Sequence, residues 1–311
     1  MKYGYGVDLG GTTVKIAYFD ETGSMLSKWE IPTVKENGGQ QILPDIAASV
    51  LGHLETTDQT REDILGIGIG VPGPVDDQGV VNRCVNLGWG VFNIHKVLGE
   101  LTGLRVVAGN DATVAALGEC WKGGGKGYRN MVLATLGTGV GGGIVLGGKV
   151  LNGTHGAGGE IGHMVLNREE TETCGCGKKG CAEQYCSATG VVRVAKRYLA
   201  ACDTPSALRK VENMTCKDVF DAGKAGDEAA VQILEQVYAY LGEFLANICN
   251  VVDPEVVVLG GGVSKAGQPL LEGAKRHFDK WVFHGVSGVR FALATLGNDA
   301  GAYGAFKLLL D

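Results

Sequence analysis

Dense apolar runs, short and interrupted by glycine, alternate along this chain with longer stretches of helical period. Tyr5-Gly-Val7 and Val14-Lys-Ile16-Ala-Tyr18-Phe19 flank a polar Gly-Gly-Thr-Thr segment, which predicts strand, turn, strand over residues 3 to 19. Ile42, Ile46, Val50, Leu51 and Leu54 recur at helical spacing, and Pro44 suits the first turn of such a helix. Ile64 to Val71 reads as a buried strand ending in a sharp Pro72-Gly-Pro74 loop. Leu104 to Val107 predicts another strand, followed by Gly109-Asn110-Asp111 and a helix over 112 to 121. A strand over 130 to 136 runs into Gly137-Thr138-Gly139-Val-Gly141-Gly142-Gly143 and a second strand over 144 to 146. Further on, Ser187 can cap a helix reaching about residue 201. Val231, Leu234, Val237, Leu241, Leu245, Ile248 and Val252 then mark a long core-facing helix over 228 to 251 that Pro254 stops. Glu255 to Leu259 is a buried strand leading into Gly260-Gly261-Gly262, and 299 to 310 is a last amphipathic helix. Residues 202 to 217 read as a solvated connector.

The turns between these elements carry the candidate chemistry. Asp8 leaves the first strand directly before Gly10-Gly11-Thr12-Thr13, where backbone N–H groups and hydroxyls can cradle phosphate oxygens and the carboxylate can hold Mg²⁺ through water. A plain hairpin accounts for the same residues, because Gly-Gly is a good hairpin turn by itself. The strand, Gly/Thr turn, strand pattern recurs at Gly137-Thr138-Gly139, and two such turns could clamp one polyphosphate. G-x-G-x-x-G occurs at 68 to 73 and at 137 to 142, but Pro72 and Pro74 bar a helix after the first and a short β-branched run follows the second. Neither is a dinucleotide fingerprint, and no Walker A pattern occurs. Asp111 stands at a helix start, where Asp is a favoured N-cap. Asn110 beside it adds a polar group at the end of a strand, where open α/β sheets bind their ligands.

His163, Cys174, Cys176 and Cys181 stand in the pattern H-x10-C-x-C-x4-C. Zinc takes four nitrogen and sulfur ligands in a tetrahedron, and one His with three Cys fills that set with no open position. Three cysteines within eight positions argue against a chance grouping in a glycine-rich loop. Such a closed site is structural, shaping a loop that presents polar groups such as Glu160 and Glu183.

Composition narrows the alternatives. The 311 residues are 45% apolar and 20% charged, enough for two ordinary domains or one large one with a sizeable core. The net charge of −6 argues against a nucleic-acid groove. The longest apolar stretch, 131 to 151, is broken by glycines, and the N-terminus lacks an apolar signal segment, so neither a membrane span nor secretion is expected. Cys84, Cys120, Cys186, Cys202, Cys216 and Cys249 are scattered and read as core residues or surface thiols, which suits a reducing, cytoplasmic setting.

Taken together, Asp8-x-Gly10-Gly11-Thr12, Leu136-Gly-Thr138-Gly-x-Gly-Gly142, Leu259-Gly-Gly-Gly-Val263 and Glu160-x-Gly-His163 with Cys174-x-Cys176-x4-Cys181 resemble the ROK family of repressors and sugar kinases. The likeness covers essentially the whole chain, and Asn86-Leu-Gly-Trp89, Asn110-Asp111-Ala and residues 174 to 189 look most like the bacterial glucokinases of that family. The resemblance implies an actin-like (ribonuclease H-like) α/β ATPase fold with two lobes and a central cleft. The small lobe would be residues 1 to 113, completed by the C-terminal helix 299 to 311. The large lobe would be 114 to 298, with the zinc loop at 160 to 183, and the lobes would close on the sugar.

It further implies ATP-dependent phosphorylation of a hexose, first of all glucose at its 6-hydroxyl, with Asp111 as general base. Asn86, Asn110, Asp111, Glu160, His163 and Glu183 would bind the sugar, His163 through the ring nitrogen that zinc does not take. Asp8, Gly10, Gly11, Thr12, Thr13, Gly137, Thr138, Gly139, Gly260, Gly261 and Gly262 would hold ATP, with Mg²⁺ near Asp8. Lys15 reads as an exposed strand residue. Gly109 departs from the family pattern, in which many members have an acidic residue before the Asn. A homodimer is expected, with no nucleic-acid or membrane partner. Rival readings are another sugar specificity (fructose, mannose, allose or N-acetylmannosamine) and a non-catalytic sugar-sensing repressor. The repressors carry a winged helix-turn-helix ahead of the Asp-x-Gly-Gly-Thr strand, which here begins at residue 5.

Overall fold

In the computed structural model, which describes residues 1–311, β1 (Tyr3–Leu9) and β2 (Thr13–Asp20) form the antiparallel hairpin expected at the N-terminus. They belong to a five-stranded sheet of order β3-β2-β1-β4-β7, with β3 at Met25–Pro32, β4 at Ile64–Val71 and β7 at Val106–Asn110. β2 and β3 pair antiparallel, while β4 runs parallel to β1 and β7 parallel to β4.

The period of two explains the odd glycine content of β1 and β4. Tyr5, Val7, Ile67 and Ile69 face one way, into a core shared with Ile46 and Val50 of α2 (Ile42–Glu55) and Ile94 and Leu98 of α3 (Ile94–Thr102). Gly6 and Gly68 face the other way, where α10 (Ala300–Leu308) lies so close that a Cβ would overlap the carbonyl oxygens of Ala302 and Ala305. Glycine is therefore required there by close backbone approach. α4 (Asp111–Lys122) crosses α10 by the same device, with Gly118 against the Ala300 carbonyl and Gly304 against that of Val114. The remaining small elements of this part are a distorted turn α1 (Glu36–Gly39) and the short pair β5 (Val80–Val81) and β6 (Phe92–Asn93).

A second five-stranded sheet has the order β10-β9-β8-β11-β12, with β8 at Met131–Leu136, β9 at Val140–Leu146, β10 at Lys149–Val150, β11 at Val256–Gly260 and β12 at Arg290–Leu293. β8 and β12 run parallel to β11. The helices of this half are a single turn α5 (Glu183–Cys186), α6 (Ala188–Ala201), α7 (Cys216–Lys224), α8 (Glu228–Val252) and α9 (Gln268–Trp281). α8 starts at an Asp227 cap, buries Leu234, Val237, Leu241, Leu245 and Ile248, and ends at Asp253 in the left-handed region just before Pro254. Val231, which the helical spacing puts on the core face, is instead 45% exposed. The stretch expected to be a connector over 202 to 217 contains a 3₁₀ turn at Ala207–Lys210 and the start of α7.

By their internal contacts the residues form two compact units. One comprises Met1–Arg129, Gly143–Gly159 and Leu296–Asp311, the other Asn130–Gly142 and Glu160–Thr295, and the division falls within β9.

Candidate functional site

Four candidate groups lie in the first unit. Gly10 donates its N–H to the Thr13 carbonyl (3.1 Å) and closes a two-residue loop of Gly11 and Thr12. Thr33, one residue past β3, braces this loop through its N–H to the Thr12 carbonyl (2.9 Å) and its hydroxyl to the Gly10 carbonyl (2.8 Å). The turn is thus a hairpin, and its hydrogen bond leaves the Gly11 and Thr12 amides unused. Asp8 points to the glycine face of the sheet, where its carboxyl packs on Gly301 at the start of α10. Burial pushes its pKa up, while Lys15 opposes that shift from 3.8 Å away.

Lys15 is therefore no mere exposed strand residue: it is the cross-strand partner of Asp8. The hairpin register itself carries that signal, because a loop of Gly11 and Thr12 sets Leu9 opposite Val14 and Asp8 opposite Lys15.

Asn110, and not Asp111, caps α4. Its Oδ1 accepts from the Thr113 N–H (3.1 Å) and the Thr113 hydroxyl (3.2 Å), and its Nδ2 donates to the Gly73 carbonyl (3.3 Å). Asp111 is shifted one place into the helix as its first residue, half-buried, with Oδ1 accepting from the Ala112 N–H (2.8 Å). That places its carboxylate at the positive end of α4. Asn86 sits exposed on a 3₁₀ turn, Val85–Leu87, and Trp89 of the same segment is buried and donates Nε1–H to the Gly39 carbonyl (3.1 Å). Trp89 closes the turn, and Asn86 is what the turn presents.

The metal-binding candidates converge in the second unit. His163, Cys174, Cys176 and Cys181 bring their ligand atoms within 4.8 Å of one another, with Cys176 and Cys181 sulfurs 3.6 Å apart and His163 Nδ1 4.0 Å from the Cys174 sulfur. Burial, then the neighbouring thiols, push Cys181 up to about 12, and burial also raises Cys174. A dication among them reverses that balance by favouring the thiolates. One His and three Cys in this space fit a closed zinc site. His163 Nε2 faces the other way, 3.9 Å from the exposed Glu160 carboxylate. Glu183 is tied at both oxygens: Oε1 accepts from the Cys174 thiol (3.4 Å) and Oε2 from the Val140 N–H (3.0 Å).

The two glycine turns of this unit leave neighbouring parallel strands at the same end, with Gly260 opposite Thr135. Gly261, at φ +81°, lies so near the Leu136 backbone that a Cβ would stand 2.6 Å from its carbonyl. The start of α6 anchors the Gly137–Gly139 turn through the Ala188 N–H to the Gly137 carbonyl (2.7 Å) and the Thr189 hydroxyl to the Thr138 carbonyl (2.8 Å). Thr138 itself is exposed, as are Gly261 and Gly262. The third turn leads into a four-residue 3₁₀ turn, Val263–Ala266, before α9 begins.

Asp8, the Gly10–Thr13 turn, Asn86, Asn110 and Asp111 thus belong to the first unit. Glu160, His163, Glu183, the cysteines, Gly137–Gly139 and Gly260–Gly262 belong to the second. Glu170, missed by pattern reasoning, is the most heavily bonded carboxylate beside the metal loop; its partners Arg193 and Arg197 lie over twenty residues away, a separation that no motif spans.

A family model described as the ROK family matches residues 4–311. A glucokinase of Halalkalibacterium halodurans is 44% identical over 304 residues, covering 96% of this chain and 92% of that protein. A glucokinase of Thermotoga maritima is 35% identical, covering 98% and 96%. Among solved structures, a ROK family glucokinase from Streptomyces griseus in complex with glucose and AMPPNP is 33% identical, covers 98% of each chain and superposes with a TM-score of 0.74. The ROK hexokinase from Thermus thermophilus is 34% identical, covers 97% and 96%, and gives 0.76.

Proposed function

The chain belongs to the ROK family, with that family's actin-like α/β fold, and from this premise we propose that it is a glucokinase transferring the γ-phosphoryl group of ATP to the 6-hydroxyl of glucose. The observation that carries the reading is the 44% identity to a glucokinase over nearly the whole of both chains. The glucose and AMPPNP held by the Streptomyces griseus relative support the choice of sugar and nucleotide.

In this reading Asp111 accepts the proton of the 6-hydroxyl as that oxygen attacks the γ-phosphorus. Its position supports the role, since as first residue of α4, directly after the end of β7, its carboxylate stands at the positive end of the helix dipole. Phosphoryl transfer needs little from the protein beyond alignment and charge stabilisation, so a carboxylate within hydrogen-bond reach suffices. Asn86, Asn110, Glu160, His163 and Glu183 bind the remaining hydroxyls, each of which needs a partner once buried. His163 Nδ1 and the three cysteines would hold zinc, which fixes the imidazole so that Nε2 can serve the sugar.

The unused amides of Gly11 and Thr12 and the hydroxyls of Thr12, Thr13 and Thr138 hold phosphate oxygens, and the Gly260–Gly262 turn receives the nucleoside. Asp8, a hard oxygen donor already paired with a cation in Lys15, would hold Mg²⁺, which neutralises charge on the transferred group. A cytoplasmic homodimer completes the proposal. No helix is long and apolar enough to cross a membrane, and sedimentation of the purified protein tests the dimer.

The functional test is ADP release from Mg-ATP with and without glucose, beside Asp111→Asn. Glucose-dependent release in the parent, falling roughly 10²- to 10⁴-fold in the variant while glucose still binds, is the expected result. Release with another hexose but not glucose would overturn the substrate and keep the chemistry. Silence with every sugar would overturn the enzyme.

A further inference from the structure

We propose that Glu170 is a positioning residue: gripped by Arg193 and Arg197 of α6, it holds the metal-binding loop and the Glu183 turn in the geometry the sugar needs. Glu170 lies in the ten-residue span between the ligands His163 and Cys174, and its side chain is only 1% exposed. Every acceptor position of the carboxylate is used. Oε1 accepts from the Thr171 N–H (2.8 Å), the Glu172 N–H (2.9 Å) and Arg197 Nη2 (2.9 Å). Oε2 accepts from the Tyr185 hydroxyl (2.5 Å) and Arg197 Nη1 (2.8 Å). Arg193 comes to 2.8 Å from Oε1 and to 3.0 Å from Glu172 without the alignment of a hydrogen bond, so it contributes charge.

A buried carboxylate with this many donors is fixed in place: losing Arg197 leaves its charge uncompensated, and losing a neutral donor leaves an acceptor unsatisfied. Arg197 above all holds the Glu170 carboxyl well below the ordinary carboxylate range, against the effect of its burial.

What Glu170 fixes is functional. Tyr185 is two residues past Glu183 in the same turn of helix, so its bond to Oε2 sets the turn that aims the Glu183 carboxylate. Gln184 between them ties the two halves of the loop together. Its Nε2 donates to the Glu172 carbonyl (3.1 Å), and its Oε1 accepts from the Gly180 (2.8 Å) and Cys181 (3.2 Å) N–H groups. The span carrying Glu170 and Glu172 is thereby joined to the cysteine loop and to Glu183 at once, and α6 is the rigid body behind both. Metal ligands are oriented by the groups that support them, and losing such support costs about 10- to 100-fold in metal affinity or activity. The Gly137–Gly139 turn has its own anchors, the Ala188 N–H and the Thr189 hydroxyl in the first turn of α6, rather than Glu170 or the two arginines.

The inference rests on the reading of the four ligands as a zinc site and of Glu183 as a sugar contact, and the test separates these. Glu170→Gln keeps the shape and removes the charge; Tyr185→Phe removes one hydroxyl and keeps the core. Three quantities are measured on the zinc-loaded protein: zinc release to a chromogenic chelator, glucose binding by calorimetry without nucleotide, and KM for ATP. Glu170→Gln is expected to release zinc roughly 10-fold faster and to bind glucose roughly 10-fold more weakly, with KM for ATP within about twofold of the parent. Tyr185→Phe moves the first two in the same direction by less. Both variants folding with zinc release and glucose affinity unchanged would reduce Glu170 to a fold staple and overturn the proposal. If Glu170→Gln does not fold, Tyr185→Phe decides by the same criterion. A parent protein without zinc overturns the proposal at its premise, while ADP release with glucose would leave the kinase reading standing.

Discussion

Asn110 is asked to do two things, and substitution can separate them. Its Oδ1 accepts from both the N–H and the hydroxyl of Thr113 and so caps α4, while Nδ2 reaches the Gly73 carbonyl at 3.3 Å. The proposal also gives it a sugar hydroxyl. Asn110→Ala removes the cap, worth about 1 kcal/mol, and a long, weak hydrogen bond worth about 0.5 kcal/mol. The expected loss is then about 1.5 kcal/mol, or roughly 3–6 °C in Tm at the entropy of a domain of this order. Asn110→Ser restores a capping oxygen of nearly equal quality but is too short to span to Gly73 or a ligand, so it should recover about 1 kcal/mol of that. Sugar recognition should not recover. Losing one hydrogen bond to a hydroxyl costs about 1–1.5 kcal/mol, so kcat/KM for glucose should fall roughly 10-fold in both variants. Thermal unfolding and steady-state kinetics on the same preparations read the two effects apart. Serine restoring kcat/KM along with Tm would refute the sugar contact and leave Asn110 a cap; equal Tm for Ser and Ala would refute the cap.

Three further outcomes follow from packing and charge. Gly261→Ala forces a Cβ to 2.6 Å from the Leu136 carbonyl at a φ of +81°, so KM for ATP should rise several-fold while glucose affinity measured without nucleotide stays; an unchanged KM would detach this turn from the nucleotide. Gly304→Ala puts a methyl into the Val114 carbonyl across the α4–α10 contact, and should lower stability by about 2 kcal/mol or more in urea unfolding; a loss under about 0.5 kcal/mol would mean the helices part freely. Glu170 titrates below its unfolded value, so its stabilisation is complete above about pH 4.5 and is lost as the pH falls from there. Tm should therefore drop more steeply between pH 5 and 3 in the parent than in Glu170→Gln, as about the span of that titration allows; parallel curves would contradict the assignment.

Strand and helix periods made the two α/β halves legible because each element buries one face and its period shows in the sequence. The four candidate metal ligands, whose ligand atoms lie within 4.8 Å of one another, stood out for a different reason: a tetrahedral ion calls for short, fixed spacings of Cys and His. What could not be read were relations between distant segments. At Gly6 of β1 and Gly68 of β4 glycine is needed because α10, nearly three hundred residues from β1, rests on that face. Asp111 looked like an N-cap from its neighbours alone, and only the backbone geometry assigns the cap to Asn110. Lys15 looked exposed until the hairpin register set it against Asp8.

The same contrast explains where the supports of the functional loops come from. A glycine turn that must present backbone N–H groups has no side chains with which to hold itself, so its anchors come from elsewhere in the chain. In the second unit they come from one helix. The first residues of α6 fix the Gly137–Gly139 turn by the Gly137 and Thr138 carbonyls, and one and two turns further on Arg193 and Arg197 meet Glu170 beside the candidate metal loop. Ser187, which caps α6, donates to the Glu183 carbonyl at 2.6 Å, so the helix begins directly from the residue that meets the sugar in the proposed reaction. A single rigid element therefore carries the Gly137–Gly139 turn at its start and the candidate metal loop along its body. Those anchors are distinct residues of α6, and Glu183, whose Oε2 accepts from the Val140 N–H at 3.0 Å, is where the turn and the loop meet.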